Sequence, residues 1–549
     1  MTTRTKRCIL VIAAALGLTL AVACARRESV PGTPPYLTII LLDGLSQEIF
    51  QRELAAGNLP HLAQAITEGS YIENGIGAIP SMTGYAFFPF LTGNDAPRSG
   101  LLGLRWFDRE RERGNFRNYV GRTNRLMNRD LGESSTLFEL ARGEYTSSWN
   151  SYLTRGATRE WKTPWRFTLA KYREHGIAHA VASIPWLGNL LIPDWSACEE
   201  NLLGLALREL ERRPKIQWIT FASLDGYQHL HGSDEGYVDL LRRADSWIER
   251  YRARCRELGQ ERILAIVSDH GVEDVSRHVD LREHFRREWG LELNWDRATH
   301  LEGSDLKEPL ARHADEDGFV AVNGNLMSWV YLRDPRAEGI EGFRHRLPPD
   351  LLRAYPTKQG HAVDLITALP RLPGIEFAAG LDSGGTVVVA SAKGEGRIRR
   401  DGDQFAYQFS GDDPLGYFGD SLVAPLLDQR FHAPDEWLFA TAHTRYPYAV
   451  PRLYSVITAP DAGDLFVTSA PDFDLGLDFE LVVKSYAGGH GGIRGTQTRV
   501  PYILVGPGIA RGVRIDAARS EDLGSLFISL LCPGIMPAHD GRIPPGALQ

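Results

Sequence analysis

The sequence predicts an α/β fold with a mainly parallel central sheet and helices on both faces, and three observations carry it. Short, largely apolar runs at residues 36–42, 216–224 and 262–267 have the length and β-branched content of buried strands. Amphipathic stretches of helical spacing, at residues 135–142, 199–213 and 236–258, are interleaved with those runs. Each run leads into an aspartate, Asp43, Asp225 or Asp269. Those aspartates fall at strand ends, where an open α/β sheet places its active site.

Taken in order, the chain begins with Arg4, Lys6 and Arg7 ahead of an apolar run from Cys8 to Ala23. The run is short for a membrane span and ends in small residues, as a signal peptide over residues 1–23 would. Ala21-Val22-Ala23-Cys24 suits cleavage before Cys24. A cysteine at that junction is expected to carry a lipid, with residues 24–35 as a tether, giving an exported periplasmic or cell-envelope lipoprotein. A soluble periplasmic form and a retained anchor are the alternatives. Residues 36–277 are expected to form the first part of a catalytic core, with a small insertion at about 105–175. From 278 to 474 charged helical pieces give way to short β-like runs at 386–390 and 404–409, broken by Gly and Pro, which predicts an inserted cap. The chain returns to the core over 475–549.

Five islands carry the chemistry: Leu42-Asp43-Gly44, Pro80-Ser81-Met82-Thr83-Gly84, Asp225-Gly226-Tyr227-Gln228-His229, Ser268-Asp269-His270-Gly271 and Gly489-His490-Gly491-Gly492. Three carboxylates, three imidazoles and one hydroxyl make seven donors without a thiolate. That set suits zinc and is compatible with manganese or iron. One tetrahedral ion uses about four donors, so seven point to two divalent ions with positions left for substrate. A hydroxyl beside two such ions indicates phosphoryl or sulfuryl transfer.

The order Asp, Thr, Asp-x-x-x-His, Ser-Asp-His-Gly and a late Gly-His-Gly resembles the alkaline phosphatase superfamily, and its type I phosphodiesterase/nucleotide pyrophosphatase branch in particular. The stretch from Pro80 to Gly93 keeps that branch's spacing, which singles out Thr83 over Ser81 as the nucleophile. Arg499 to Gly508 and His539-Asp540-Gly541-Arg542 are similar to the superfamily's closing strand and tail. The resemblance implies an alkaline phosphatase-like three-layer α/β/α sandwich with an inserted cap. It further implies one metal on Asp225, His229 and His490 and another on Asp43, Asp269, His270 and the Thr83 oxygen. Thr83 would attack phosphorus, and water would hydrolyse the phosphothreonine with net retention.

Two departures bear on the substrate. Where the phosphodiesterases carry an Asn that helps hold the phosphoryl oxygens, this chain has Gly103-Leu104-Arg105-Trp106. Leu104 has no side-chain donor, and Arg105 is the candidate replacement. The family's Asn-His after the nucleophile is Ala86-Phe87. Lys162 and Arg166, within a basic, tryptophan-containing stretch from Arg155 to Arg173, are further candidate oxyanion contacts, although such a segment is also an ordinary amphipathic surface.

Composition fits a large globular enzyme: 549 residues, 43% hydrophobic and 24% charged. A net charge of −8 without a long basic run argues against nucleic acid as the main partner. Beyond the leader and Cys24, the cysteines Cys198, Cys255 and Cys532 permit at most one disulfide. The expected activity is therefore a two-metal phosphodiesterase or nucleotide pyrophosphatase acting on a small phosphate ester, a lipid or a nucleotide. A phosphomonoesterase is the nearest alternative. A sulfatase fits less well, since Ser81-Met82-Thr83 is not the Cys/Ser-x-Pro-x-Arg maturation motif, and a non-catalytic envelope binding module would have no use for Thr83. Oligomeric state is left open.

Overall fold

The central strand, Tyr36–Leu42, alternates between two hydrophobic clusters: Leu37, Ile39 and Leu41 belong to one, and Ile40 and Leu42 to the other. Its neighbours Ile216–Phe221 and Arg262–Val267 divide in the same way, Trp218 and Ala265 on one side, Ile219 and Ile266 on the other. Strands without a polar face must be covered twice, and this sheet is. In the computed structural model, residues 35–109, 115–119, 124, 126–162, 195–295, 316–476, 486–534 and 539–549 are described. Tyr36–Gln549 forms one compact unit.

The sheet runs Val513–Arg519, Ser70–Ile76, Arg499–Val505, Arg262–Val267, Tyr36–Leu42, Ile216–Phe221, Thr146–Trp149 and Arg159–Trp161. Neighbours are parallel except Arg499–Val505, which is antiparallel to both of its own. Helices Gln47–Ala55, Pro60–Glu68, Trp195–Glu209 and Glu235–Glu257 cover one face. Phe88–Thr92 and Ser520–Leu531 pack on the other. This is the expected three-layer α/β/α sandwich.

Two expected elements differ in extent. The run 216–224 was expected to deliver Asp225 directly from a strand. The strand instead stops at Phe221, Ala222 leaves the extended region, and Asp225 stands in the first turn of the helix Ser223–His231. The amphipathic stretch 135–142 forms only the short helix Leu137–Leu140, started by a capping box between Thr136 and Glu139. The segment about 105–175, expected as an insertion, contributes Thr146–Trp149 and Arg159–Trp161 to the sheet edge.

Between residues 278 and 474 lies a second eight-stranded sheet, in the order Leu293–Trp295, Gly318–Asn323, Met327–Leu332, Leu465–Ser469, Ile375–Leu381, Val387–Ser391, Gly394–Asp401 and Gln404–Gly411. Its pairings are antiparallel apart from the first. Phe319, Trp329 and Phe466 from it join Leu37 and Ile39 in one continuous hydrophobic cluster. The hairpin between Gly318–Asn323 and Met327–Leu332 reaches the late loop: His490 N donates to Gly324 O (2.7 Å) and Leu326 N to His490 O (2.9 Å). Gly324 has φ +57°, and a Cβ there would meet His490 Nδ1 at 2.7 Å, so only glycine permits this approach.

Among the described residues no helix is long and apolar enough to cross a membrane. Cys198, Cys255 and Cys532 are all thiols. The expected signal peptide, Cys24 and the tether to residue 34 lie outside the described residues, as does Arg166.

Candidate metal centre

Asp43 follows the central strand at a turn that needs Gly44. Gly44 has φ +69°, and a Cβ there would lie 2.9 Å from Asp225 Cα. The two aspartate segments are tied by Asp225 N donating to Asp43 O (3.1 Å). Asp269 and His270 follow the strand Arg262–Val267. Asp225 and His229 are one helical turn apart on Ser223–His231 and share a face.

These loops, with those of Thr83 and His490, bring all seven predicted donors into one cluster. Thr83 Oγ1 is 3.3 Å from Asp43 Oδ1 and 3.0 Å from His270 Nε2. His270 Nε2 is 3.4 Å from Asp43 Oδ1 and 3.3 Å from Asp269 Oδ2. On the other side, His229 Nε2 lies 3.2 Å from His490 Nε2, and both are 3.4 Å from Asp225 Oδ1. Two donor groups fall within 4.8 Å among the described residues: Asp43, Asp269 and His270, and Asp225, His270 and His490. His270, expected with the first group alone, borders both.

Backbone carbonyls fix the imidazoles. His229 Nδ1 donates to Gly488 O (3.0 Å), His270 Nδ1 to Gly271 O (3.0 Å) and His490 Nδ1 to Ser81 O (2.6 Å). A carbonyl only accepts, so each Nδ1 carries a proton and each Nε2 is the nitrogen that faces the cluster. Among the described residues, Asp225 Oδ1 is buried without a hydrogen-bond partner.

Burial and crowding shift the acids and bases accordingly. Asp43 is raised well above the carboxylate range, first by burial and then by Asp269 and Asp225. Burial pushes Asp269 up to about 6, with Asp225 adding to the rise and His270 opposing it. His490 is held well below the ordinary imidazole value by burial and by His270 and His229. Buried carboxylates crowded together beside imidazole nitrogens, with no thiolate in the cluster, suit divalent cations.

Neighbouring residues support these loops, and sequence reasoning had not assigned them that part. Tyr237 Oη donates to Gly44 O (2.7 Å) and accepts from Ser46 N (2.8 Å). Ser268 Oγ donates to His270 O (2.7 Å) and accepts from Leu45 N (3.1 Å). The Glu199 carboxyl accepts from the backbone of Ala222 and Ser223 and from the Ser223 hydroxyl, at the start of the helix that carries Asp225 and His229. Only Ser268 carried a signal, its place beside Asp269.

Of the candidate substrate contacts, Arg105 and Lys162 lie among the described residues and have other partners. Leu104 is buried, and its N–H donates to Asn323 Oδ1 (2.9 Å). Arg105 is buried beside the second sheet, its Nη1 directed to Val322 O (3.4 Å). Lys162, at the end of Arg159–Trp161, donates to Asn124 Oδ1 (2.9 Å) and is lowered by burial. His231, two residues beyond His229, is exposed, its ring tilted against Tyr227 with centroids 4.4 Å apart. His278 pairs with Asp474 and His443 with Asp420.

Comparison with known proteins follows the same lines. The family model described as type I phosphodiesterase / nucleotide pyrophosphatase matches residues 37–340, more than half of the chain. A search of the curated proteins found no match. Among solved structures, human ectonucleotide pyrophosphatase / phosphodiesterase 5 is similar with a TM-score of 0.53 and 11% identity, over 92% of this chain and 97% of that one. The murine protein of the same name gives 0.53 and 10% over the same shares, as does its inactive variant in complex with AMP. At that identity the likeness is one of fold. By the sequence match, the chain belongs to the type I phosphodiesterase / nucleotide pyrophosphatase family, hydrolases acting on phosphoester or anhydride bonds.

Proposed function

We propose that the chain hydrolyses a phosphodiester or pyrophosphate-type bond at a two-metal centre with Thr83 as nucleophile. Asp225, His229 and His490 would hold one ion, and Asp43, Asp269 and His270 the other, with Thr83 Oγ1 beside it. When bound, such ions supply positive charge for the entering and leaving oxygens of an in-line displacement. The observation that carries the reading is the position of Thr83 Oγ1, 3.3 Å from Asp43 Oδ1 and 3.0 Å from His270 Nε2.

Thr83 Oγ1, whose hydroxyl donates to Asp43 Oδ1 (3.3 Å), would bond to phosphorus as the ester oxygen leaves, with the hydroxyl proton ending on the leaving oxygen. The phosphothreonine is then cleaved by water, restoring the hydroxyl, and two displacements give net retention. Arg105, Lys162 and Arg166 remain candidate contacts for the phosphoryl oxygens. Metal analysis and a four-substrate comparison test this reading: bis-p-nitrophenyl phosphate, p-nitrophenyl phosphate, a nucleotide pyrophosphate and a sulfate ester on one preparation. Close to two ions per chain and fastest turnover of the diester or pyrophosphate are expected. Finding no ions in protein purified under metal-replete conditions would overturn it.

One observation favours monoesters as a second reading. Leu104 supplies no side-chain donor where the phosphodiesterases have Asn, and its backbone N–H is occupied by Asn323. Faster turnover of p-nitrophenyl phosphate would select it. The leader and Cys24 further support export as a lipoprotein, for which Cys24→Ser should abolish lipid labelling.

A further inference from the structure

Ser81 stands two residues before Thr83 and is fully buried. Its polar groups all reach the glycine loop around His490. Ser81 Oγ donates to Gly492 O (3.0 Å) and accepts from Gly491 N (2.8 Å). The Ser81 N–H donates to Gly491 O (3.2 Å), and the Ser81 carbonyl accepts the His490 Nδ1 proton (2.6 Å). Two segments 409 residues apart in sequence are thus joined by four hydrogen bonds through one residue. On its far side the loop is pressed against the hairpin of the second sheet, where a Cβ on Gly491 would lie 2.1 Å from Asn323 O. The loop is confined from both directions, and Ser81 is its tie on the Thr83 side.

We propose that Ser81 is a positioning residue for phosphoryl transfer, setting the separation between Thr83 and His490. The proposal rests on the reading of Thr83 as nucleophile and His490 as metal ligand. An in-line displacement needs the attacking oxygen and the group serving the leaving oxygen at a fixed spacing, and an error near 1 Å costs about a hundredfold. The Ser81 hydroxyl is fully buried, with both of its hydrogen bonds made to the glycine loop. It acts through the loop geometry, and through His490, whose outer partner it keeps in place.

The test compares wild type, Ser81→Ala, Ser81→Thr and Thr83→Ala by kcat and KM for bis-p-nitrophenyl phosphate, by zinc affinity in chelator competition, and by melting temperature. Ser81→Ala keeps both backbone bonds and loses both hydroxyl bonds. Its kcat should fall about 10- to 100-fold with KM within about twofold, and zinc should bind about tenfold more weakly. Ser81→Thr, which retains a hydroxyl, should recover most of the loss. Wild-type kcat and zinc affinity in Ser81→Ala, with only a lower melting temperature, would overturn the proposal. If the alanine variant does not fold, Ser81→Cys carries the test. Its thiol donates and accepts weakly in the same place, so kcat should fall about tenfold, and an unchanged kcat overturns the role. Wild type that binds no zinc, or a fully active Thr83→Ala, overturns the underlying reading and this role with it. An unaffected Ser81→Ala in a zinc-binding enzyme that needs Thr83 overturns this role alone.

Discussion

His270 and His490 stack face to face, with ring centroids 3.7 Å apart and planes 12° from parallel. Each ring is tethered at Nδ1 to a carbonyl, so neither can turn away without leaving a buried donor unpaired. The stack aligns the two edges that would meet metal, and it makes His270 the member shared by both donor groups.

Metal removal should cost more stability at high pH than at low pH. In the metal-free protein the Asp269 carboxyl is raised to about 6 from an ordinary 3.8. A raised acid contributes stability that is complete below 3.8 and lost as pH rises through 6, a loss of about 2–3 kcal/mol. A bound cation offsets that loss by pairing with the ionised form. Chelator should therefore lower the melting temperature more at pH 8 than at pH 5, as read by scanning fluorimetry. An equal or reversed effect would contradict the metal assignment.

Thr83→Ala should retain fold and zinc while kcat falls by about a thousandfold or more. Removing the hydroxyl gives up contacts to Asp43 and His270, at about 1 kcal/mol of stability. Thr83→Ser should keep a measurable share of activity, because the reacting oxygen remains. Steady-state kinetics beside metal analysis separates loss of the nucleophile from loss of metal.

How far the sequence revealed this arrangement depended on local pattern. Residues 36–42 and 262–267 were legible as strands because both faces are buried, leaving a mostly apolar run that leads to Asp43 or Asp269. Gly394–Asp401 was not legible: it alternates small, charged and single apolar residues, and only its pairing with Val387–Ser391 and Gln404–Gly411 makes it a strand. The donors Asp225 and His229 could be read from their i, i+4 spacing. Ser81 and Asn323 could not, because their partners lie hundreds of residues away and neither residue type is unusual in a loop.

Asn323 joins the second sheet to residues 103–105, and its loss should be expensive. Its Oδ1 accepts from Leu104 N and Arg105 N (2.9 and 3.1 Å), and its Nδ2 donates to Arg105 O and Ala321 O (2.9 and 3.2 Å). The side chain is fully buried, so Asn323→Ala strands several backbone groups and should destabilise by about 2–4 kcal/mol in urea unfolding. Gly103→Ala attacks the same contact from the other side, since φ is +123° and a Cβ would lie 2.3 Å from Asn323 Oδ1. The double variant should lose less than the sum of the two, because both break one clamp.

Glu199 offers a test of how the helix carrying Asp225 and His229 is held. Burial raises its carboxyl to about 8 against an ordinary 4.5, with the bonds from Ala222 and Ser223 opposing the rise. The sign follows from the raised value: its contribution is complete below 4.5 and is lost as pH climbs through 8, a loss of about 3–5 kcal/mol. Glu199→Gln copies the protonated acid and keeps an acceptor oxygen for the helix start. The variant should match wild type at pH 4.5 and be the more stable at pH 9, with the crossover developing between. Unfolding curves at those two pH values decide it. Parallel destabilisation at both would mean that Glu199 is ionised in the folded protein and that its charge, rather than its acceptor oxygen, secures the helix N-terminus.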